Sequence, residues 1–340
     1  CLFKYTFNSI FASLFKYFMK KIGVLTSGGD SQGMNAAVYA VVRYGLEKGL
    51  EVYGIHSGYQ GLMDGKVEKL SLNRVENIIH RGGTILQTAR CPEMKTEDGQ
   101  KKAVNTLNRN GIEGLVVIGG DGSFQGAKVL STKYGIKTIG IPGTIDNDLA
   151  YTDFTLGFDS AATVVINTVQ MLRDTMTCNG RTCVVEVMGR RCGDIALYAG
   201  LTSGAEAIVV PEVGYDIDAI VARLQSNAAV GKLDNIVLVA EGVCSAEQVC
   251  ADIKLRMPQI SIRSLVIGHV QRGGNASFQD RLLGVKMGSR AVDCLVEGKT
   301  DRVIGIRDNA IIDEDIVEAL SKQKRIDLNL YELANKLSKY

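Results

Sequence analysis

The sequence predicts an α/β protein built on largely parallel sheets, and two features lead to this prediction. Short apolar, β-branched stretches recur along the 340 residues and alternate with longer segments whose apolar residues repeat at helical spacing. Several of the short stretches run directly into glycine-rich turns, as buried strands do at one edge of a parallel sheet. The length and an apolar content of 46% allow two ordinary domains with full cores.

The first half of the chain is expected to contain strands at 22–26, 52–55, 115–118 and 138–141. Helices are expected at 33–48, from the capping Thr96 to Asn110, and at 124–133. Two of the strands run into glycine turns at the start of a helix, at 27–30 and 119–123. Because the backbone can approach closely there and first-turn N–H groups face outward, each turn is a candidate phosphate site.

Residues 140–148 read Gly-Ile-Pro-Gly-Thr-Ile-Asp-Asn-Asp and place Thr144, Asp146 and Asp148 at alternate positions. If this stretch stays extended, alternate residues share one face, so a hydroxyl and two carboxylates would point into one site. Paired carboxylates repel unless a cation or a transferable proton lies between them. The stretch therefore predicts metal-assisted or general-base chemistry, with a solvated Asx-turn loop as the alternative.

The second half is expected to continue the alternation of strands and helices. Strands are expected at 182–187, 207–210, 236–239 and 265–267, and helices at about 159–175, 217–229, 245–256 and 280–297. Functional groups again follow strand ends, at 188–191 (Met-Gly-Arg-Arg), at Glu241 and at 269–274 (His-Val-Gln-Arg-Gly-Gly). Because open parallel sheets bind ligands outside the carboxyl ends of their strands, we expect the site at that edge.

The composition excludes several classes of protein. A net charge of +2 with mixed signs offers no basic surface for nucleic acid or a membrane. The eight cysteines lack a Cys-x-x-Cys pair and there are only three histidines. This pattern favours a cytoplasmic protein with reduced thiols over a disulfide scaffold or a histidine-rich metal site. Residues 1–18 are too short and broken to span a bilayer, and we interpret them as a non-native or disordered leader before Met19.

Five motifs together resemble those of the bacterial-type 6-phosphofructokinase family. They lie at 23–30, 119–123, 142–148, 184–190 and 268–274, and the resemblance extends from Met19 to about residue 340. It implies transfer of the γ-phosphoryl group of ATP to the C1 hydroxyl of fructose 6-phosphate, the committed step of glycolysis. It also implies a homotetramer of chains with two three-layer α/β/α domains and the active site in the cleft between them. The implied boundaries are 19–157 plus 271–320 for the ATP domain and 158–270 plus 321–340 for the fructose 6-phosphate domain.

The resemblance also implies roles for individual residues. Asp146 would be the general base, and Thr144, Arg90 and Arg190 would contact the transferring phosphoryl group. Asp121 and Asp148 would lie near Mg²⁺. ATP would be bound by Gly29, Arg90, Cys91, Gly120, Asp121, Gly122 and Ser123. Fructose 6-phosphate would be bound by Thr144, Ile145, Asp146, Met188, Gly189, Arg190, Glu241, His269, Val270, Gln271 and Arg272. A neighbouring subunit would add Arg181 and Arg263.

Two glycines bear on the phosphoryl donor. Pyrophosphate-dependent relatives carry aspartate at the position of Gly122 and lysine at that of Gly143, so glycine at both positions favours ATP. Glycine at both positions leaves room for the α-phosphate and nucleoside of a nucleotide, which pyrophosphate lacks, and puts no buried charge beside the α-phosphate. A pyrophosphate-dependent enzyme and a non-catalytic subunit that binds nucleotide or sugar phosphate remain the alternatives.

The effector pocket of the family lies between subunits and takes ADP or GDP as activator and phosphoenolpyruvate as inhibitor. The positions that match it are Arg43, Arg173, Glu206 and Lys232. The positions where basic residues are expected but missing are Tyr39, Leu72 and Val230. Each charged hydrogen bond is worth about 1.5–3 kcal/mol, so we expect effector regulation to be weak or lost. Lys69 or Arg74 could partly replace the missing charge.

Overall fold

The computed structural model of the protein describes residues 19–339. The strands in this part are β1 Lys21–Thr26, β2 Glu51–Ile55, β3 Val67–Lys69, β4 Gly114–Gly119, β5 Lys137–Pro142, β6 Thr182–Val187, β7 Ala207–Val209, β8 Ile236–Ala240, β9 Ile262–Val266, β10 Arg302–Arg307 and β11 Ala310–Asp315. The α-helices are α1 Met34–Glu47, α2 Gly58–Asp64, α3 Glu97–Asn110, α4 Asp121–Tyr134, α5 Phe158–Asn179, α6 Asp194–Ser203, α7 Ile217–Ala229, α8 Ala246–Arg256, α9 Phe278–Val296, α10 Ile316–Ser321 and α11 Leu328–Leu337. Short 3₁₀ helices lie at Asn73–Val75, Pro92–Lys95 and Gly268–Arg272.

The strands of residues 19–339 form two sheets. The larger has the order β11-β10-β5-β4-β1-β2-β3, parallel except for the antiparallel edge strands β3 and β11. The smaller has the order β7-β8-β6-β9 and is parallel throughout. The predicted α/β fold with largely parallel sheets is therefore confirmed.

The central strands are apolar on both faces because helices cover both sides of each sheet. Every residue of β4 and of β8 is buried. In the larger sheet, Thr26 of β1 pairs with Ile118 of β4, and Gly119 pairs with Pro142 of β5. These three strands consequently end at the same level, and the loops that follow them meet at one edge.

Distant parts of the chain complete both halves of the fold. On one face of the larger sheet, α9 packs against α1. A Cβ atom at Gly288 of α9 would lie only 2.7 Å from the carbonyl oxygen of Ala37, so the two helices approach this closely because glycine has no side chain. At the other end, α11 packs on the smaller sheet, where the Tyr331 hydroxyl donates to the carbonyl oxygen of Ile208 (3.2 Å).

Several element boundaries differ from the sequence prediction. The strand expected at 265–267 begins three residues earlier, at Ile262, and ends at Val266. It was misplaced because β9 is an edge strand whose polar residues, Arg263 and Ser264, are exposed and interrupt the apolar pattern. The helix expected to begin at residue 124 begins at Asp121, where an acidic side chain favours the first turn. Helix α6 was not predicted because it is apolar on nearly every face and lacks a helical period.

The hairpin of β10 and β11 is a further element absent from the sequence prediction. Its turn residues, Asp308 and Asn309, both have positive φ (50° and 62°), as a two-residue type I′ turn requires. This turn chemistry was readable in the sequence, and the hairpin adds two strands to the larger sheet. No helix among residues 19–339 is both long enough and apolar enough to cross a bilayer. The leader interpretation of residues 1–18 concerns a part of the chain outside the described residues.

Candidate active site

A cavity of about 790 Å³ opens where β1, β4 and β5 end. It brings together most of the residues predicted for nucleotide binding and catalysis. The predicted residues that line it are Gly29, Arg90, Cys91, Gly120, Asp121, Gly122, Ser123, Thr144, Asp146 and Arg272. Sequence reasoning missed the apolar part of its wall, formed by Tyr59, Met94, Gly126 and Val129. Those residues carry no motif, and only the packing of α2, α4 and the 3₁₀ helix Pro92–Lys95 brings them to the cavity.

The glycine turn after β4 forms the narrow part of this cavity. The backbone N–H of Ser27 donates to Ile118 (2.9 Å), which holds the turns after β1 and β4 side by side. A Cβ at Gly119 would lie 2.5 Å from the carbonyl oxygen of Ser27, so only glycine allows this approach. Helix α4 starts directly after Gly120, which has no side chain that could cap the helix. Ser123 N–H bonds to the Gly120 carbonyl oxygen (3.0 Å), which leaves the N–H groups of Asp121 and Gly122, both at the cavity wall, as a candidate anion site.

Asp146 has the most perturbed carboxyl group in the cavity. Its Oδ1 atom is buried and has no hydrogen-bond partner among the described residues. The pKa of Asp146 is raised to about 6, mainly by burial and next by the Asp148 carboxylate, while the Arg272 guanidinium opposes the rise. Glu241 and Arg190 make smaller contributions of opposite sign. Charged groups from both sheets consequently face the Asp146 carboxylate.

The stretch around Asp146 is not extended, which corrects the sequence prediction. Residues 145 and 146 form a bend, and Asn147 adopts the left-handed conformation (φ 53°), which asparagine tolerates better than most residues. The side chains still alternate: Ile145 and Asn147 are buried, and Thr144 and Asp146 line the cavity. The Asp148 residue is exposed and is not among those that line the cavity. Nearby protein atoms nevertheless exclude part of the water around its carboxyl group, and this desolvation raises its pKa; the Asp121 carboxylate raises it as well.

A buried polar network holds this bend in place. The Asn147 amide donates to Asp194 Oδ2 (2.8 Å), and its Oδ1 accepts from the backbone N–H of Thr155 (3.1 Å). The same Asp194 oxygen lies 3.3 Å from Lys324 Nζ. Sequence reasoning did not single out Asn147, Asp194 or Lys324, because their partners are distant along the chain. Asp194 lies on α6, so the smaller sheet's layer helps to fix the loop that holds Asp146.

Loops after the strands of the smaller sheet approach Asp146, whose pKa is shifted by the charges of Glu241 and Arg190. Arg272 of these loops lines the cavity, whereas the other predicted substrate residues on them do not. Met188, Gly189 and Arg190 follow β6, Glu241 follows β8, and the 3₁₀ helix Gly268–Arg272 follows β9. Gly189 has φ 127°, and a Cβ there would lie 2.5 Å from the Cys192 carbonyl oxygen, so the sharp turn requires glycine.

Two residues predicted to bind substrate have fully buried side chains. The Gln271 side chain accepts from the Met188 backbone N–H (3.2 Å) and donates to the Gly268 carbonyl oxygen (3.0 Å). Ile145 has no exposed surface either. Because backbone and side chain are both buried, Gln271 and Ile145 present no atom to a ligand in this structure. In contrast, His269 and Val270 are exposed.

Arg181 and Arg263 lie at the opposite end of the smaller sheet from the other substrate residues. Arg181 directly precedes β6, and Arg263 pairs with Cys183 near the start of that strand. Met188 follows the last residue of β6, and a six-residue strand spans roughly 20 Å. The structure thus does not bring these two arginines to the cavity of their own chain.

Three of the four predicted effector residues meet at the smaller sheet. The Glu206 carboxylate, 3% exposed, lies 3.3 Å from Arg173 and 3.2 Å from Lys232. Arg43 is on α1, where its guanidinium lies 5.3 Å from the ring centroid of Tyr39.

The two basic residues considered as substitutes in the effector pocket already have acidic partners. Lys69 pairs with Glu51 (2.9 Å), and Arg74 pairs with Glu68 (3.0 Å). Both ion pairs are partly exposed and therefore weak. An anion would nevertheless have to compete with a carboxylate for each of these cations.

Two acidic residues, one in the cavity and one near it, suit a magnesium ion that arrives with a nucleotide. Among residues 19–339, no group of three or more His, Cys, Asp or Glu side chains could hold a metal by itself. Mg²⁺ in nucleotide sites is held by one or two carboxylates together with substrate phosphates. Asp121 and Asp148 supply two such carboxylates, close enough that the charge of one raises the pKa of the other. The donor set therefore fits Mg²⁺ in company with phosphates.

Glycine-rich helix starts, paired carboxylates and facing arginines together define an α/β protein with a phosphate-binding cleft. The model of the phosphofructokinase family matches residues 21–295. The ATP-dependent 6-phosphofructokinase of Clostridium tetani is 56% identical over 320 residues, which are 94% of this chain and 100% of that one. The protein of the same name from Bacillus cytotoxicus is 54% identical with the same coverage. The chain belongs to the phosphofructokinase family, as the five motifs indicated.

Solved structures agree with this assignment. Phosphofructokinase from Saccharomyces cerevisiae superposes with a TM-score of 0.84 at 34% identity, covering 94% of this chain and 48% of that chain. The present chain thus spans about half the length of the yeast chain. The pyrophosphate-dependent phosphofructokinase from Marinobacter aquaeolei has a TM-score of 0.81 at 21% identity, covering 91% of this chain and 86% of that chain. At that identity the likeness concerns the fold alone.

Proposed function

We propose that this chain is an enzyme that transfers the γ-phosphoryl group of ATP to the C1 hydroxyl of fructose 6-phosphate. The products are fructose 1,6-bisphosphate and ADP. The main observation behind the proposal is the Asp146 carboxylate, whose buried oxygen lacks a partner within the cavity that also contains Arg272 and the glycine-rich turns. Relatives that are 56% and 54% identical and named ATP-dependent 6-phosphofructokinase support it.

In the proposed reaction Asp146 accepts the proton of the C1 hydroxyl, and the hydroxyl oxygen forms a bond to the γ-phosphorus. The bond between that phosphorus and the bridging oxygen breaks, and its electron pair leaves with ADP. Arg90 and Arg190 hold the equatorial oxygens, where charge accumulates in the transition state. Asp121 and Asp148 would hold Mg²⁺, which when bound neutralises charge on the β- and γ-phosphates.

The sugar phosphate is proposed to lie against the loops of the smaller sheet. Arg272 is the cation that reaches the cavity from this side, and arginine can engage two phosphate oxygens at once. The exposed Glu241 and His269 stand at the ends of β8 and β9, where they can bond to sugar hydroxyls. Met188 and Gly189 supply the backbone between them.

A comparison of phosphoryl donors tests the proposed function. We expect fructose 1,6-bisphosphate to form from fructose 6-phosphate and Mg-ATP but not from Mg-pyrophosphate. Turnover with pyrophosphate alone would replace the proposal by the pyrophosphate-dependent alternative. No turnover with either donor, while ATP or fructose 6-phosphate still raises the Tm, would favour the non-catalytic binding subunit.

Acidic pH should inactivate the enzyme through Asp146. The base must be ionised to accept a proton, and its pKa in the free enzyme is about 6. We therefore expect kcat/KM for fructose 6-phosphate to be constant above pH 7 and to fall about tenfold per pH unit well below pH 6. Initial rates between pH 5 and pH 8 measure this. The residual activity of Asp146→Asn should lack this pH dependence. An apparent pKa near 4 in the wild-type pH profile would contradict the assignment of the dependence to Asp146.

We also propose a two-domain chain that works as a homotetramer in the cytoplasm. The domains would be 19–157 plus 271–320 and 158–270 plus 321–340, supported by the place of β10 and β11 in the larger sheet. Arg181 and Arg263 would enter the cavity of a neighbouring subunit, supported by their distance from their own. The seven described cysteines are unpaired, which is in keeping with a reducing compartment.

Effectors should have little influence on this enzyme. Leu72 and Val230 are 48% and 64% exposed apolar residues at positions where the family places cations. Phosphoenolpyruvate or ADP at about 1 mM half-saturates a site whose Kd is about 1 mM. At that concentration we expect either effector to shift the half-saturating fructose 6-phosphate concentration less than twofold. Saturation curves with and without each effector measure the shift. Strong inhibition by phosphoenolpyruvate would contradict the expectation, and Leu72→Arg with Val230→Arg should then increase it further.

A further inference from the structure

The loop after β1 contains a buried glutamine, Gln32, that none of the roles above uses. It has no exposed surface and is followed by Gly33, the residue that precedes the start of α1. Its Nε2 donates two hydrogen bonds of 2.8 Å, to the carbonyl oxygens of Gln271 and Gly273. Because both neighbours of Nε2 are acceptors, the amide can only be oriented with its NH₂ group toward them. The two bonded carbonyls flank Arg272.

The same loop also holds the side chain of Arg272. The guanidinium donates to the Asp30 carbonyl oxygen (2.7 Å). It also lies directly on Gly29, where a Cβ atom would be 2.9 Å from Nη1. Residues 29–32 therefore fix both the backbone and the charged end of Arg272. This arginine lines the cavity and lowers the pKa of Asp146.

The hydrogen bonds from Gln32 are linked to the loop after β6 through Gln271. Gln271, whose carbonyl oxygen receives one Gln32 bond, uses its side chain to accept from the Met188 N–H (3.2 Å). A single buried path thus runs from the turn after β1, through the Gly268–Arg272 helix, to the turn after β6. The three loops belong to both halves of the cleft.

We propose that Gln32 is a positioning residue for the sugar-phosphate half of the site. Its amide holds the backbone on both sides of Arg272 so that the guanidinium is ready to receive the phosphate of the substrate. This inference rests on the proposed function for the identity of that substrate. Without the two donors, the carbonyls at 271 and 273 must find other partners, and the turn that carries Arg272 loses its fixed position.

The test compares Gln32→Met with the wild type in the full-length chain. Methionine keeps the length and approximate volume of glutamine and removes both donors. We expect KM for fructose 6-phosphate to rise about tenfold, with kcat and KM for ATP changed less than threefold, since the variant weakens ground-state and transition-state binding alike. The matched control is Gln248→Met, whose exposed amide bonds only to Asp252 (2.9 Å) on α8 and which should leave all three constants unchanged.

A double-mutant cycle tests whether Gln32 acts through Arg272. If it does, adding Gln32→Met to Arg272→Met should change KM for fructose 6-phosphate little further. If the two residues act independently, the fold-changes in KM of the single variants should multiply in the double variant. An unchanged KM for fructose 6-phosphate in Gln32→Met, or multiplying effects in the cycle, would overturn the inference. If Gln32→Met does not fold, Gln32→Asn keeps a neutral amide but is one methylene shorter, so it withdraws the donors from the two carbonyl oxygens and supports the same comparison.

The wild type separates this inference from the proposed function. No turnover of fructose 6-phosphate by the wild type counts against the proposed function. Full turnover by the wild type together with an unaffected Gln32→Met variant counts against the positioning role alone. The rise in Tm that fructose 6-phosphate produces gives a second readout, which should shrink in Gln32→Met and persist for ATP.

Discussion

Asp146→Asn should lower kcat by roughly 10²–10⁴-fold, the range typical of a lost general base. Asparagine has nearly the shape of aspartate, but its amide cannot accept the C1 hydroxyl proton. Initial rates of fructose 1,6-bisphosphate formation with saturating Mg-ATP measure the loss. The Tm increase produced by ATP should be retained, because Asp146 takes no part in the proposed nucleotide site. A loss of less than tenfold would remove Asp146 from the role of base.

The same substitution should stabilise the fold at alkaline pH. The raised pKa of Asp146 means that the folded state disfavours the charged carboxylate, so the ionised group lowers stability above pH 6. This penalty disappears as the pH falls through 6 toward 4, where the carboxyl is protonated in the folded state. We expect Asp146→Asn to gain about 1–3 kcal/mol at pH 8 and little at pH 4.5. Thermal or urea unfolding at both pH values checks this, and a loss of stability at pH 8 would contradict it.

Gly122→Asp should reduce kcat/KM for ATP by roughly 30- to 150-fold, equivalent to about 2–3 kcal/mol of repulsion between the new carboxylate and the nucleotide phosphates. Position 122 lies in the first turn of α4, at the wall of the cavity. A Cβ atom there would meet nothing within 4 Å, so the new side chain fits without displacing other atoms. An acid in the first turn also suits the helix dipole, and the Tm should not fall.

Gly122→Ala is the matched control for charge. It fills the same open space without a carboxylate and should keep kcat/KM for ATP within about threefold of the wild type. An equal loss in both variants would indicate steric exclusion. Unchanged ATP efficiency in Gly122→Asp would mean that this position does not face the nucleotide, and the argument for ATP from this glycine would fail.

The parts of the fold and site that could be predicted from the sequence are those with local signals. The turns after β1 and β4 combine a buried strand, glycines and a helix start within ten residues, so their convergence followed from the parallel sheet alone. The β9 boundary was misplaced because an edge strand needs little apolar sequence. Helix α6 was missed because a helix buried on most sides has no amphipathic period.

Buried polar contacts of the cleft could not be predicted for a different reason. Gln32 and Gln271 are 239 positions apart, and Asn147 and Asp194 are 47 apart. A single sequence gives no indication that such residues meet, and each alone is typical of a solvated loop. The bend at Asn147 belongs to the same group, since the alternation of polar residues at 144, 146 and 148 equally fits a strand.

The strand order of the larger sheet has a consequence for how the chain reaches its native state. β1 is in the interior of that sheet, but β10 and β11, which extend it beyond β5, come from residues 302–315. Helix α9, which covers α1, is also made late. During synthesis, the entire smaller sheet emerges from the ribosome before the larger one can be completed. Until α9 has been made, the face of α1 that packs against it stays exposed to solvent. We therefore expect fragments ending before residue 278 to aggregate rather than fold.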